Sequence, residues 1–146
     1  MQPANAMPWG SSALGDDAFV EAIEAGRYPH DRFRHADHVR LAWIHVRRSG
    51  EEEAARRMRA AIRAFAQGAG VPRKYHETVT TAWVRLVAAA VALSPRIDDF
   101  ARFAGAHPWL LEKDALLAFY SRERLMGEEA RAGWVEPDLR PLPAAR

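Results

Sequence analysis

The sequence contains no cysteine, which excludes disulfide bonds, thiolate metal sites and a cysteine nucleophile. It has only two lysines, Lys74 and Lys113, so almost all of its positive charge is carried by arginine. No apolar run approaches the roughly 18 residues of a membrane-spanning helix, and the longest one, Leu86–Leu93, is much shorter. We therefore expect no membrane association and a cytoplasmic location.

The charge is nearly balanced, because 21 basic residues stand against 19 acidic residues for a formal net charge of +2. No predicted helix carries a one-sided basic stripe interleaved with exposed aromatic residues, so we expect no nucleic-acid binding. A length of 146 residues is typical of one domain with a substantial core. Residues 1–15 have neither the basic start nor the apolar run of a secretory signal, and we interpret them as a flexible leader.

Apolar residues recur at helical spacing through most of the chain, and no segment has a convincing strand pattern. Breaks at Ser49–Gly50, at Gln67–Pro72 and at Ser94–Pro95 separate the predicted helices. These helices cover about 16–25, 36–48, 51–66, 73–93 and 97–106, and a mostly helical segment continues to 133. We predict an all-α bundle with four to five core helices at 16–133, with the Pro-rich tail 134–146 packed against it.

The most conspicuous polar feature is a group of histidines. His35 and His38 are three residues apart on one face of the second predicted helix, so both imidazoles can reach one ion. His76 lies near the start of the helix at 73–93 and can join them if the two helices are bundle neighbours. His45 is nearly three turns from His35, too far to share that ion, and is interpreted as a core residue. The pattern predicts a three-histidine metal site with an open coordination position.

Imidazole ligands suit zinc, iron, copper and nickel, and we favour iron or zinc as the divalent metal ion. Glu77 follows His76 directly and is the candidate catalytic residue, as a general base or a carboxylate that orients an imidazole. Tyr75, Thr80 and Trp83 are candidates for substrate binding on the same helix. The alternative is that the histidines are structural, since an HxxH pair on an amphipathic helix is by itself a weak motif.

Tyr120 and Arg124 are four residues apart and share one helix face. Arginine forms bidentate hydrogen bonds with carboxylates and phosphates, so the two residues are candidates for binding a charged substrate. The alternative is a tyrosine packed under an arginine that pairs with Glu128, one further turn along.

Four segments carry a resemblance to known proteins, namely FRHADHVRLAW, KYHETVTTAW, YSRERL and WVEPDLRPLP. Together they resemble a family of small bacterial all-helical proteins that share FxHxxH and KYHET motifs, over most of the chain after residue 17. That resemblance implies no particular activity. A looser similarity is to DinB-type helical bundles, which hold a metal with three histidines. The order of the histidines differs here, because the close pair comes first and the single histidine later.

Two functions from different classes follow from these observations. The first is a small metal-dependent enzyme that acts on a small-molecule substrate, hydrolytic or group-transferring with zinc and oxidative with iron or copper. The second is a non-enzymatic helical interaction or regulatory module with structural histidines, for which a homodimer formed through an exposed apolar helix face would fit.

Overall fold

A computed structural model describes residues 14–145, so all but the last two residues of the expected leader lie outside the described part of the chain. The six α-helices of this part are α1 Asp16–Glu24, α2 His35–Gly68, α3 Glu77–Leu93, α4 Phe100–Ala106, α5 Arg122–Leu125 and α6 Glu128–Ala132. Short 3-10 turns cover His30–Arg32, Pro72–Lys74, Pro108–Leu111 and Ala115–Ala118. Residues 14–145 contain no strand, and the predicted all-α class is confirmed. None of the described helices combines the length and the apolar character needed to cross a bilayer.

Gly50 divides α2 into two arms, residues 35–49 (the first arm) and residues 51–68 (the second arm). Its φ of 86° and ψ of 171° suit glycine and strain any residue with a Cβ atom. A straight helix would separate residues 33 and 65 by about 48 Å. The rings of Phe33 and Phe65 nevertheless lie 4.7 Å apart. The two arms therefore run antiparallel as a helical hairpin, and the predicted break at Ser49–Gly50 is a reversal of the chain.

Helix α3 packs against both arms of this hairpin. At its start, Glu77 lies 3.5 Å from Arg63 and 3.8 Å from Arg59, which are both late in the second arm. On another side, the Trp83 ring lies 4.5 Å from the ring of His35 in the first arm. Helix α3 thus runs antiparallel to the second arm. Its fully buried residues, Ala82, Val84, Leu86 and Val87, form the middle of the core.

Two helices, α3 and α4, begin later than the sequence pattern predicts, because a polar side chain caps each start. Helix α3 begins at Glu77 rather than at residue 73, since the imidazole of His76 accepts the Val79 N–H at 3.1 Å. The start of α4 is set in the same way by Asp99, and the start of α5 by Ser121. The segment predicted as mostly helical to residue 133 is instead broken into short turns and helices.

The tail from residue 134 is fastened to the bundle by hydrogen bonds. The buried hydroxyl of Thr78 donates to the Gly133 carbonyl at 2.7 Å and accepts the Val135 N–H at 3.1 Å. The hydroxyl of Tyr120, a fully buried residue, donates to the Val135 carbonyl at 2.8 Å. Further bonds join Arg124 Nε to the Glu136 carbonyl and the Ser121 hydroxyl to Asp138. The tail is therefore a strap across α3 and the short helices.

Replacing Gly50 with alanine tests the reversal of α2. We expect Gly50→Ala to lower the free energy of unfolding by about 1–3 kcal/mol, because alanine is strained at this φ and ψ. The matched control is Gly105→Ala in α4, where an added Cβ atom meets nothing within 4 Å. Alanine favours helix there, so that change should be neutral or stabilising. Chemical denaturation of the two variants measures the difference, and equal effects would contradict the account of Gly50.

Candidate functional site

His76 uses both ring nitrogens to hold the fold. Its Nδ1 atom accepts the Val79 N–H at 3.1 Å and caps α3. Its Nε2 atom lies 2.7 Å from the Leu125 carbonyl, to which it donates. Because burial lowers the pKa of His76, the neutral ring with this proton arrangement is favoured. His76 therefore ties the start of α3 to α5 in this structure.

His35 has one nitrogen committed in the same way. Its Nε2 atom lies 2.9 Å from the Leu110 carbonyl and donates to it. Its ring meets the Trp83 indole nearly edge to face, with 4.5 Å between centroids. Burial lowers the pKa of His35, so the ring is neutral near pH 7. Trp83 is 2% exposed and belongs to the core, where it orients His35 rather than facing an open pocket.

His38 differs from the other two. Its Nε2 atom is buried and has no hydrogen-bond partner within residues 14–145. Burial, reinforced by the nearby His35, lowers the pKa of His38 to about 4. The nitrogen is thus an unsatisfied polar atom in an apolar setting, which costs free energy as the structure stands.

The described residues contain no group of three histidine, aspartate, glutamate or cysteine side chains placed to hold a metal ion. His35 and His38 remain neighbours on the first arm, as their spacing predicts. His76 does not join them in this structure. Its two ring nitrogens are instead hydrogen-bonded to the Val79 N–H and the Leu125 carbonyl. The sequence placed His76 inside the helix, whereas it caps the helix from outside.

Glu77 is the centre of a charged network between α3 and the second arm. One carboxylate oxygen accepts the Tyr75 hydroxyl at 2.7 Å, and the other lies 3.4 Å from the Thr81 hydroxyl. The guanidinium groups of Arg63 and Arg59 lie at 3.5 and 3.8 Å. With these four partners the carboxylate helps to hold α3 on the second arm.

Burial, together with the bond to Glu77, raises the pKa of Tyr75 to about 12. Its hydroxyl therefore stays protonated and donates at any physiological pH. The Arg63 guanidinium stacks over the Tyr75 ring at 4.3 Å from the centroid, which adds a cation–π contact. Thr80, the remaining candidate on this helix, is 2% exposed and buried beside these groups.

Tyr120 and Arg124 serve the strap, as the hydrogen bonds to the backbone of Val135 and Glu136 show. Burial raises the pKa of Tyr120 to about 12, so its hydroxyl also remains a donor. The expected alternative, an ion pair of Arg124 with Glu128, is not formed within the described residues, where Glu128 instead lies 3.7 Å from Arg131.

An open cleft of about 330 Å³ lies between the second arm and α3, next to the Glu77 network. Its base is apolar and includes Val84, which is fully buried. Arg59 reaches it from the second arm and Arg85 from α3. The complete lining is Glu51, Glu52, Ala55, Arg59, Thr81, Val84 and Arg85. Pockets of this size hold small molecules, with a few polar groups fixing their orientation.

The charged residues of this cleft were not among the candidate site residues predicted from the sequence. A usable signal existed. Arg56 and Arg57 follow Glu53 by three and four residues and pair with it on the helix surface. Arg59 and Arg63 share a different face, four residues apart, and that face meets α3.

Comparison of the chain with protein-family models, with curated proteins and with solved structures finds no match. The function is therefore argued from the residues of the site alone.

Replacing His38 with leucine tests how the burial of its imidazole makes the stability of the protein depend on pH. The folded-state pKa of about 4 lies below the ordinary 6.5, so the unfolded chain binds more protons between those values. The stability contributed by neutral His38 is complete above pH 6.5 and is lost as the pH falls towards 4. In His38→Leu, we expect the drop in unfolding free energy from pH 7.5 to pH 5 to shrink by about 2 kcal/mol.

Denaturation curves at several pH values measure this difference. His45 is also buried, and burial lowers its pKa to about 4, so His38→Leu combined with His45→Leu should flatten the profile further. If the unfolding free energies of the wild-type protein and His38→Leu change with pH in parallel, then folding does not lower the pKa of His38.

Proposed function

We propose that this protein binds a small organic anion in the cleft between the second arm and α3. One observation carries the proposal: arginines from both walls, Arg59 and Arg85, line the same cleft above an apolar base. A carboxylate entering there meets guanidinium donors while its carbon chain covers Ala55, which is half-buried. These residues support a small-molecule partner of this kind.

The residues around Arg85 hold its guanidinium group in an orientation that suits an anion. Its guanidinium stacks on the Trp134 indole, with Cζ 4.5 Å from the ring centroid. Stacking fixes the plane of the group and leaves its N–H donors directed outwards along the edge. Among residues 14–145, no carboxylate comes within ion-pairing distance of Arg85. The strap, which holds Trp134, therefore also positions a cation at the cleft.

Arg59 is held less tightly and supplies the opposite wall. Its Nε atom lies 3.8 Å from Glu77, a long ion pair, and its side chain is 37% exposed. Within the described residues its terminal nitrogens make no hydrogen bond, so they can form a bidentate bond with a carboxylate. Thr81 lies beside it in the cleft, where its hydroxyl adds a polar contact.

Glutamine substitutions of the two arginines test the proposal. With pentanoate, glutarate and 5-aminopentanoate as probes, we expect saturable binding to the wild-type protein by ligand-observed NMR or calorimetry. Arg59→Gln and Arg85→Gln should each weaken binding of the tightest probe about tenfold, since each removes a charge-assisted hydrogen bond.

Arg56→Gln is the matched control, because Arg56 lies on the same arm but is paired with Glu53 on the outer surface. It should bind the probes as the wild-type protein does. If none of the probes binds saturably, or if the three variants bind alike, the cleft is not an anion site.

A second candidate, favoured by the unpartnered nitrogen of His38, is the metal-dependent enzyme expected from the sequence. His35 and His38 would supply two imidazoles for zinc or iron. His76 could become the third ligand only by giving up its bonds to Val79 and Leu125. Zinc would then supply an activated water for hydrolysis, and iron would supply oxidative chemistry. The interaction-module hypothesis and a homodimer remain predictions from the sequence.

Elemental analysis of protein purified without a histidine tag separates this candidate from the first. The metal hypothesis predicts about one equivalent of zinc or iron, lost in His38→Ala and retained in His30→Ala, which changes an exposed histidine. Metal-free protein that cannot be loaded with either ion would remove this candidate and leave anion binding untouched.

A further inference from the structure

We infer that the ligand of the cleft is amphoteric, a small molecule that carries a carboxylate and an amine at opposite ends of a short chain, such as an ω-amino acid. This inference rests on the proposed anion site and adds a second, cationic group to the ligand. The observation behind it is the charge of the rest of the lining. Besides Arg59 and Arg85, the cleft presents the carboxylates of Glu51 and Glu52.

These two carboxylates differ from their neighbour Glu53. Glu53 pairs with Arg56 and Arg57 on the outer surface of the second arm. Glu51 and Glu52 form no ion pair within residues 14–145, although they belong to the same helical turn. The start of a helix favours carboxylates at these positions, even where no cation pairs with them.

The sum of charges in the cleft also suits an amphoteric molecule. Two arginines and two glutamates leave the lining with no net charge. A simple anion satisfies the arginines and is repelled by the glutamates, whereas a molecule with both groups satisfies both. Glu51 and Glu52 precede Arg59 by eight and seven residues, so the two kinds of charge start roughly 11 Å apart along the arm. Long side chains shorten that distance, and a carboxylate and amine separated by a short methylene chain fit between them.

The apolar base accounts for the middle of such a ligand. Ala55, which lies between Glu52 and Arg59 along the second arm, is half-buried and offers only hydrocarbon surface. Methylene groups covering it gain burial, while a second polar group at that point would lose its water without a partner. The expected ligand therefore has its charges at its ends and an apolar centre.

The test compares 5-aminopentanoate with pentanoate, which have the same chain and differ in the amine. We expect the wild-type protein to bind 5-aminopentanoate at least about fivefold more tightly, a ratio typical of one partly exposed charge pair. In the double variant Glu51→Gln/Glu52→Gln, the ratio should fall to about one, mainly through weaker binding of the amine. Glu53→Gln is the matched control and should keep the wild-type ratio.

The outcomes separate this inference from the proposed function. If both probes bind, Arg59→Gln weakens both, and the ratio is near one in the wild-type protein, the anion site stands and the amphoteric ligand is excluded. A ratio that survives in the double variant would also overturn the inference, because the amine would then be recognised elsewhere. Loss of all binding in the wild-type protein would instead count against the anion site itself. Circular dichroism of each variant checks that the fold is retained.

Discussion

The chain reverses at Gly50, and the antiparallel hairpin formed there presents both of its arms to α3. A residue with a Cβ atom is strained at this φ and ψ, so the reversal depends on glycine. Because the second arm folds back, it presents one face to α3 over most of its length. That face carries Arg59 and Arg63, which meet Glu77, and it forms one wall of the cleft. The first arm, on the other side, presents His35 to Trp83.

Several polar residues of catalytic type form hydrogen bonds that join separate segments of this structure. His76 joins α3 to α5, Thr78 and Tyr120 hold the strap, and Tyr75 donates to Glu77. Each is buried or half-buried, where a hydrogen bond is needed to offset the loss of water. A bundle with several short C-terminal helices has little regular packing there. Directed hydrogen bonds fix those segments instead.

The contacts of the strap and of the Glu77 network also position side chains at the cleft. The strap places Trp134 under Arg85, and the Glu77 network places Arg59 beside Thr81. Two groups of contacts, those of the strap and those of the Glu77 network, thus fix the side chains that border the cleft. A ligand bound there would lose less free energy to ordering the protein than it would on a surface of mobile side chains.

The helical class and the main breaks could be predicted from the sequence, because apolar spacing and Gly–Pro punctuation are local signals. The late starts of α3 and α4 could not, since they depend on which way the side chains of His76 and Asp99 turn. The spacing of His35 and His38 was also a local prediction, and it describes one arm correctly. Whether His76 joins them depends on long-range packing, which in this structure brings its Nε2 atom to 2.7 Å from the carbonyl of Leu125. The shared face of Arg59 and Arg63 was a local signal, but the cleft as a whole could not be predicted, because Arg59 and Arg85 come from separate helices.

The most direct test of the account is to map a titration with 5-aminopentanoate on the backbone amide resonances of ¹⁵N-labelled protein. The account predicts that the largest saturable shifts fall on residues 51–59 of the second arm and 81–85 of α3, with smaller shifts near Trp134. Saturable shifts confined to another part of the bundle, or no shifts at high ligand concentration, would contradict the assignment of this cleft as the binding site.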